Sequence, residues 1–172
     1  IGKNLVGIML RGAGFEVINR PKEAPIDHLM VLACQISAIT AQDLLFGPTL
    51  RRFPDLKVAL SEGGIGWIPF YFDRIDRHYS NQAWLHHEED FGGKKPSEVF
   101  KEHILACYIT DPSGLALRDR IGIDNIAWEC DYPHSDSSWP EAPEELAAVA
   151  EGVPDEDLAK LGYENACRWY SF

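Results

Sequence analysis

Apolar positions along the chain change rhythm repeatedly between helical spacing and short continuous runs. Near the start, Leu5, Val6, Ile8, Met9 and Leu10 fall at helical spacing, Gly12 and Gly14 close that helix, and Phe15-Glu-Val-Ile18 reads as a strand. The polar, proline-bearing stretch Arg20-Pro-Lys-Glu-Ala-Pro25 is the expected seam. Beyond it, Ala38–Arg52 reads as a helix carrying Ala41, Leu44, Leu45 and Leu50, stopped by Phe53-Pro54. Leu56–Leu60 reads as a strand, and Trp67–Tyr79 as a helix whose Ile68, Phe72, Ile75 and Tyr79 recur at steps of four, three and four. After a loop at Gly92-Gly93 and Lys94-Lys95, the pattern predicts a helix over Ser97–His103, a strand over Ile104–Thr110, a helix over Ser113–Arg120 and a strand over Ile123–Cys130. Two helices follow, Pro143–Glu151 and Asp155–Tyr170, the second opening on acidic residues beside Pro154. Strand–helix alternation of this kind means βαβ units around a parallel sheet, an α/β fold.

In such sheets ligands bind beyond the carboxyl ends of the strands. Two predicted strand ends carry chemistry. Leu56–Leu60 runs into Ser61-Glu62-Gly63-Gly64, and Ile123–Cys130 runs into Asp131-Tyr132-Pro133-His134. The Ile104–Thr110 strand offers only Asp111. Period-two alternation puts Ala127, Glu129 and Asp131 on one face and Ile126, Trp128 and Cys130 on the other. A strand that delivers a carboxylate and an imidazole into a turn suits metal-assisted hydrolysis, so Asp131 is a candidate for ligand or acid/base work. Glu62 and His134 are the accompanying catalytic candidates. The competing reading makes Asp131 a helix cap and leaves His134 on the surface.

Composition narrows the partners. The chain has 172 residues, enough for one real core, with 45% hydrophobic and 25% charged residues. A net charge of −11 argues against nucleic acid or an anionic membrane surface. No apolar run reaches the roughly 20 residues that span a bilayer, and Ile1–Leu10 has no cleavage site. Cys34, Cys107, Cys130 and Cys167 make no CxxC pair, so buried thiols in a reducing compartment, and a cytoplasmic protein, are expected. An opening Ile in place of Met is expected of a processed or truncated piece.

Three separated motifs resemble one family. Ser61-Glu-Gly-Gly-Ile-Gly-Trp-Ile-Pro69, Asp131-Tyr-Pro-His-Ser135 and Gly162-Tyr-Glu-Asn-Ala-Cys-Arg-Trp169 look like the amidohydrolase-related, metal-dependent TIM-barrel enzymes, which include aminocarboxymuconate-semialdehyde and resorcylate decarboxylases. The resemblance covers residues 24–172 and implies the carboxyl-terminal half of a (β/α)₈ barrel. It implies a divalent metal, zinc by expectation, a small aromatic or conjugated carboxylic substrate, and hydrolysis or decarboxylation. In that family the aspartate ending the last strand binds the metal, and Asp131 matches it. Where many members end the sixth strand in histidine, this chain has Glu62. The Asn165-Ala166 pair matches the family's closing helix, where packing is expected. Trp67, Trp128 and Trp139 are candidates to line a pocket for an aromatic acid, with core positions as the competing reading.

The family's His-x-His pair does not occur in this chain. His28, on Ile26–Ala33, is the nearest candidate for a fifth-strand ligand, and His86-His87 read as a solvated loop. A catalytic zinc wants about three protein ligands, so weak metal binding is expected. Half a barrel also leaves barrel-facing residues, Val58 and Leu60 by expectation, partly uncovered, which predicts association with a second copy. Residues 1–21 form a separate leader. Ile1-Gly-Lys-Asn-Leu-Val-Gly-Ile-Met-Leu10 and Gly14-Phe-Glu-Val-Ile18 resemble the cobalamin-binding module of methionine synthase, although no cobalt-ligating histidine is present there. The alternatives to an enzyme are therefore a non-catalytic truncated or fused fragment and a corrinoid-binding module.

Overall fold

A computed structural model describes the backbone of residues 26–82, 91–134 and 136–171, and side chains from Ala33 onward. The chain divides into two compact units, Ile1–Met30 and Val31–Phe172, of which the second carries the structure below. The leader helix and strand, the His28 side chain and His86-His87 lie outside the described residues.

Helix α1 runs over Ile26–Phe46 and α2 over Thr49–Arg52. The helix expected over Ala38–Arg52 is thus interrupted at Gly47-Pro48, where Pro48 has no N–H to continue the ladder. The same helix begins well before Ala38, so the segment around His28 is helical. Strand β1 is Val58–Leu60, α3 is Ile68–Asn81, α4 is Pro96–His103 and β2 is Ile104–Tyr108. Short helices α5 (Pro112–Ala116) and α6 (Arg118–Ile121) replace the single helix expected over Ser113–Arg120, divided at Leu117. Strand β3 is only Ile126–Trp128. The residues before it, Ile123–Asn125, form a 3₁₀ turn because Gly122 sits at φ 103° and the Asn125 side chain donates to Lys101 O at 2.6 Å and Ile104 O at 2.9 Å. Helix α7 is Ala142–Val149, and the last helical stretch runs α8 (Asp155–Ala159), a π segment (Lys160–Glu164) and α9 (Asn165–Tyr170).

The three strands form one parallel sheet in the order β1-β2-β3, with Val58 opposite Ile104 and Ala106 opposite Ile126. Every residue of the middle strand is buried, as a parallel strand covered on both faces requires. On the helical face Leu60, Ile104, Ala106, Tyr108 and Ile126 pack against Ile68, Phe72, Ile75, Phe100, Leu115 and Leu161. Each fully buried large side chain there contributes about 1.5–3 kcal/mol. The opposite face is smaller: Leu105, Cys107 and Ala127, with Ala59 and Trp169 against them. The alternation expected for Ile126, Ala127 and Trp128 is therefore present. The expectation for Val58 and Leu60 is reversed, since both join the helical core and Ala59 points the other way. Val58 pairs with Ile104 and Leu60 with Ala106, both on the helical side of β2, and that register sets the face.

Buried asparagines tie the amino ends of the strands to the helices. Asn165, 1% exposed, donates to Ile123 O at 2.7 Å and Ile126 O at 2.8 Å. With its amide so engaged, Asn165 packs and does no chemistry. The carboxyl ends of all three strands are left to carry loops.

Candidate metal centre

The loop after β1 begins Ser61-Glu62-Gly63-Gly64. Glu62 takes a left-handed backbone, φ 60°, and its N–H donates to the Glu129 carboxylate across the sheet end. A side chain pays about 1–2 kcal/mol to sit there, which glycine would not. Gly64 continues the turn at φ 62°, and the Trp67 indole N–H closes it on Gly63 O at 3.1 Å and Gly64 O at 3.0 Å. The Asp111 carboxylate, beyond β2, accepts the N–H groups of Ile65 at 2.7 Å and Gly66 at 2.6 Å. It also caps α5 through Gly114 N–H at 2.8 Å. Asp111 therefore binds two loops together and is spent on structure.

Beyond β3 the chain does something similar. Asp131 is also left-handed, φ 53°, and its carbonyl accepts His134 N–H at 2.9 Å to form a tight turn. Tyr132-Pro133 within that turn is a cis peptide. His134 Nδ1 lies 2.8 and 3.0 Å from the two Asp131 carboxylate oxygens and 3.7 Å from Glu62 Oε1. One potential ligand atom from each of Glu62, Asp131 and His134 falls within 4.8 Å of the others. Among described residues outside glycine, positive φ occurs at Glu62, Asp131 and Ser171, so two of the three mark this cluster. Strained backbone gathered at one constellation is a sign of function.

Electrostatics follow from the packing. Burial, then the Asp131 charge, pushes the Glu62 carboxyl above its ordinary range. The hydrogen bond to Asp131 holds the His134 imidazole above its usual value. Burial raises the half-buried Glu129, an effect opposed by the Glu62 N–H it accepts. Two adjacent carboxylates repel, and a cation between them relieves that repulsion. Two adjacent carboxylates, one of them oriented by the imidazole, fit a hard divalent cation with open positions for substrate.

A cavity of about 550 Å³ opens beside the cluster, with Glu62, Asp111, Asp136, Ser137, Glu145 and Cys34 among its lining residues. The structure thus brings Glu62, Asp131 and His134 together. It does not bring the three expected tryptophans to the cavity. Trp67 packs edge-on against Tyr71 and Phe100, Trp128 donates to Ile109 O at 3.1 Å, and Trp139, 60% exposed, sits edge-on to Tyr132. The expectation of buried thiols holds for Cys107 but not for Cys34 and Cys167, which are exposed. Sequence reasoning put Glu129 on the Asp131 face and assigned it no role. No helix among the described residues is long and apolar enough to cross a membrane.

A family profile described as amidohydrolase matches residues 21–172. No curated protein matches the chain significantly. Among solved structures, the 5-carboxyvanillate decarboxylase of Sphingomonas paucimobilis superposes with a TM-score of 0.60 at 25% identity, over 81% of this chain and 41% of that one. A dihydroxybenzoic acid decarboxylase from a Polaromonas species, solved with manganese and the inhibitor 2-nitroresorcinol, gives a TM-score of 0.60 at 23% identity, over 80% and 40%. An amidohydrolase of Mycobacterium avium subsp. paratuberculosis gives 0.67 at 18% identity, over 95% and 39%. The chain spans about two-fifths of the length of these structures. Three parallel strands with flanking helices agree with part of their barrel. Nothing found supports the corrinoid resemblance of residues 1–19, and the profile match begins only at residue 21. From Pro21 to its carboxyl end the chain belongs to the amidohydrolase family.

Proposed function

We propose that this chain is the carboxyl-terminal half of a (β/α)₈ metal-dependent hydrolase or carboxy-lyase whose substrate is a small aromatic or conjugated carboxylic acid. The observation that carries the reading is the convergence of Glu62, Asp131 and His134, one donor atom each within 4.8 Å, at the carboxyl end of a parallel sheet. Two similar structures act, by their names, on aromatic carboxylic acids, and one of them holds manganese. The oxygen-rich donor set favours a cation harder than the zinc expected from sequence.

Asp131 and Glu62 are the proposed ligands. A divalent cation held there would supply Lewis acidity and neutralise developing negative charge. The chain's own residues do the rest. Asp131, its side chain 11% exposed, takes or returns a proton through the carboxylate that His134 holds. His134 orients that carboxylate through Nδ1 and keeps Nε2 for the substrate side. The hydrogen bond to Asp131 favours the protonated imidazole, which suits it to donate a proton.

The test is turnover of a panel of hydroxybenzoic and conjugated acids by the 172-residue chain with added Mn²⁺. Product formation that Asp131→Asn abolishes, with an unchanged circular dichroism spectrum, supports the assignment. Turnover that survives Asp131→Asn rejects it.

A further inference from the structure

We infer that Glu129 is the positioning residue of this centre: from the sheet face opposite the helical core, it grips the Glu62 backbone and sets that carboxylate against Asp131. The inference rests on the reading of Glu62 and Asp131 as ligands, and it adds a residue which that reading does not use.

Three observations carry it. First, Glu62 N–H donates to the Glu129 carboxylate, although 67 positions separate the two residues. Second, Glu62 holds φ 60°, a conformation that a side chain adopts only where its surroundings determine it. Among described residues no other hydrogen bond reaches that N–H. Third, Glu129 is itself anchored. Its own N–H donates to Tyr108 O at 3.0 Å, extending the β2–β3 ladder by one residue. Ser61 hydroxyl lies beside its carboxylate. Glu129 therefore bridges all three strand ends: it follows β3, is held by β2 and holds the second residue after β1.

The consequence is geometric. Glu62 is followed at once by Gly63 and Gly64, which by themselves leave the turn loosely determined. Fixing its N–H fixes the direction of Cα–Cβ, and so where the carboxylate lands. Outer partners that orient metal ligands in this way typically change metal affinity about 10–100-fold when removed. Glu129 needs no contact with the cation to have that effect.

Two measurements on the 172-residue chain test this, one independent of any metal. Amide hydrogen exchange at Glu62, read by NMR without metal, should be slow in the parent and in Glu129→Gln, whose amide oxygen still accepts. In Glu129→Ala it should speed up by about tenfold or more while core amides keep their protection. Mn²⁺ titration should show Glu129→Ala weakening binding by about 10–100-fold and Glu129→Gln restoring it to within about threefold. In a Glu62→Gly background, which tolerates the left-handed backbone but lacks the carboxylate, adding Glu129→Ala should change affinity less than about twofold. A fast Glu62 amide in the parent, or one indifferent to Glu129→Ala, overturns the positioning role. So does a Glu129→Ala effect on affinity that persists in full without the Glu62 side chain. A protected Glu62 amide in a chain that takes up no Mn²⁺ overturns the metal reading of the proposed function, and supports Glu129 as the residue that sets Glu62.

Discussion

His134 Nδ1 sits 2.8 Å from one oxygen of the Asp131 carboxylate and 3.0 Å from the other, three residues along the chain. An ionised carboxylate only accepts, so Nδ1 carries the proton and the imidazole orients the aspartate. His134 is also 66% exposed at its side chain while Asp131 is 11% exposed. The two residues therefore have unequal roles. His134→Gln should weaken Mn²⁺ binding by about tenfold, the loss of an outer partner. Isothermal titration checks it. A loss as complete as that of an Asp131 variant would show His134 to be a ligand of equal weight.

Asp111 is a structural residue despite its place at a strand end. Its carboxylate accepts N–H groups from Ile65, Gly66 and Gly114. Asp111→Ala leaves those donors without their partner and should cost about 3 kcal/mol or more. A urea transition with unchanged slope and a lower midpoint is the expected outcome. Metal affinity should fall less than it does for Glu62→Gln.

Gly114 marks where α5 meets the loop after β1. A Cβ on Gly114 would lie 2.8 Å from Gly66 N and would also press on the Ile65 side chain, which is fully buried. Gly114→Ala should destabilise the fold by about 1–3 kcal/mol through overpacking. Thermal unfolding reads it, and an unchanged midpoint contradicts the packing described.

Cys107, 6% exposed, faces the small side of the sheet, and burial, reinforced by Glu129, pushes its thiol up from 9.0 to about 12. At pH 8 iodoacetamide should label Cys34 and Cys167 in the folded chain and spare Cys107 until urea is added. Between pH 9.0 and about 12 the unfolded chain loses this proton while the folded chain keeps it. Stability from the buried thiol is thus full below pH 9.0 and falls as pH rises through that window, by at most about 1.4 kcal/mol per pH unit. Cys107→Ala should flatten that alkaline limb of the unfolding profile.

The fold class was legible because hydrophobic rhythm is a local property. Ile68, Phe72 and Ile75 face the core, as their spacing requires, and Ile104–Tyr108 is buried as its unbroken apolar run implies. Boundaries were less legible, since they depend on single competing bonds. Asn125 turns Ile123–Asn125 into a 3₁₀ turn by offering its side chain to Lys101 and Ile104 carbonyls. Which face Leu60 joins is set by its pairing with Ala106 of β2, and no periodicity in so short a strand could settle it. At the site, Glu62, Asp131 and His134 could be named from strand ends. The left-handed backbones of Glu62 and Asp131 and the reach of Glu129 to Glu62 could not, because non-glycine residue types do not announce positive φ and the Glu129 contact joins segments 67 positions apart. One signal was present: Glu129 lies two residues before Asp131, on the face that period-two alternation assigns to both.

The central claim is that Glu62 and Asp131 converge to hold a divalent cation. Titration of Mn²⁺ into the 172-residue chain, followed by isothermal calorimetry, tests it most directly. The expected result is one site per chain, weakened by about 100-fold or more in Asp131→Asn and by about tenfold or more in Glu62→Gln, losses at or beyond those of outer-shell partners. Equal Mn²⁺ binding by the parent chain and both variants would contradict the account.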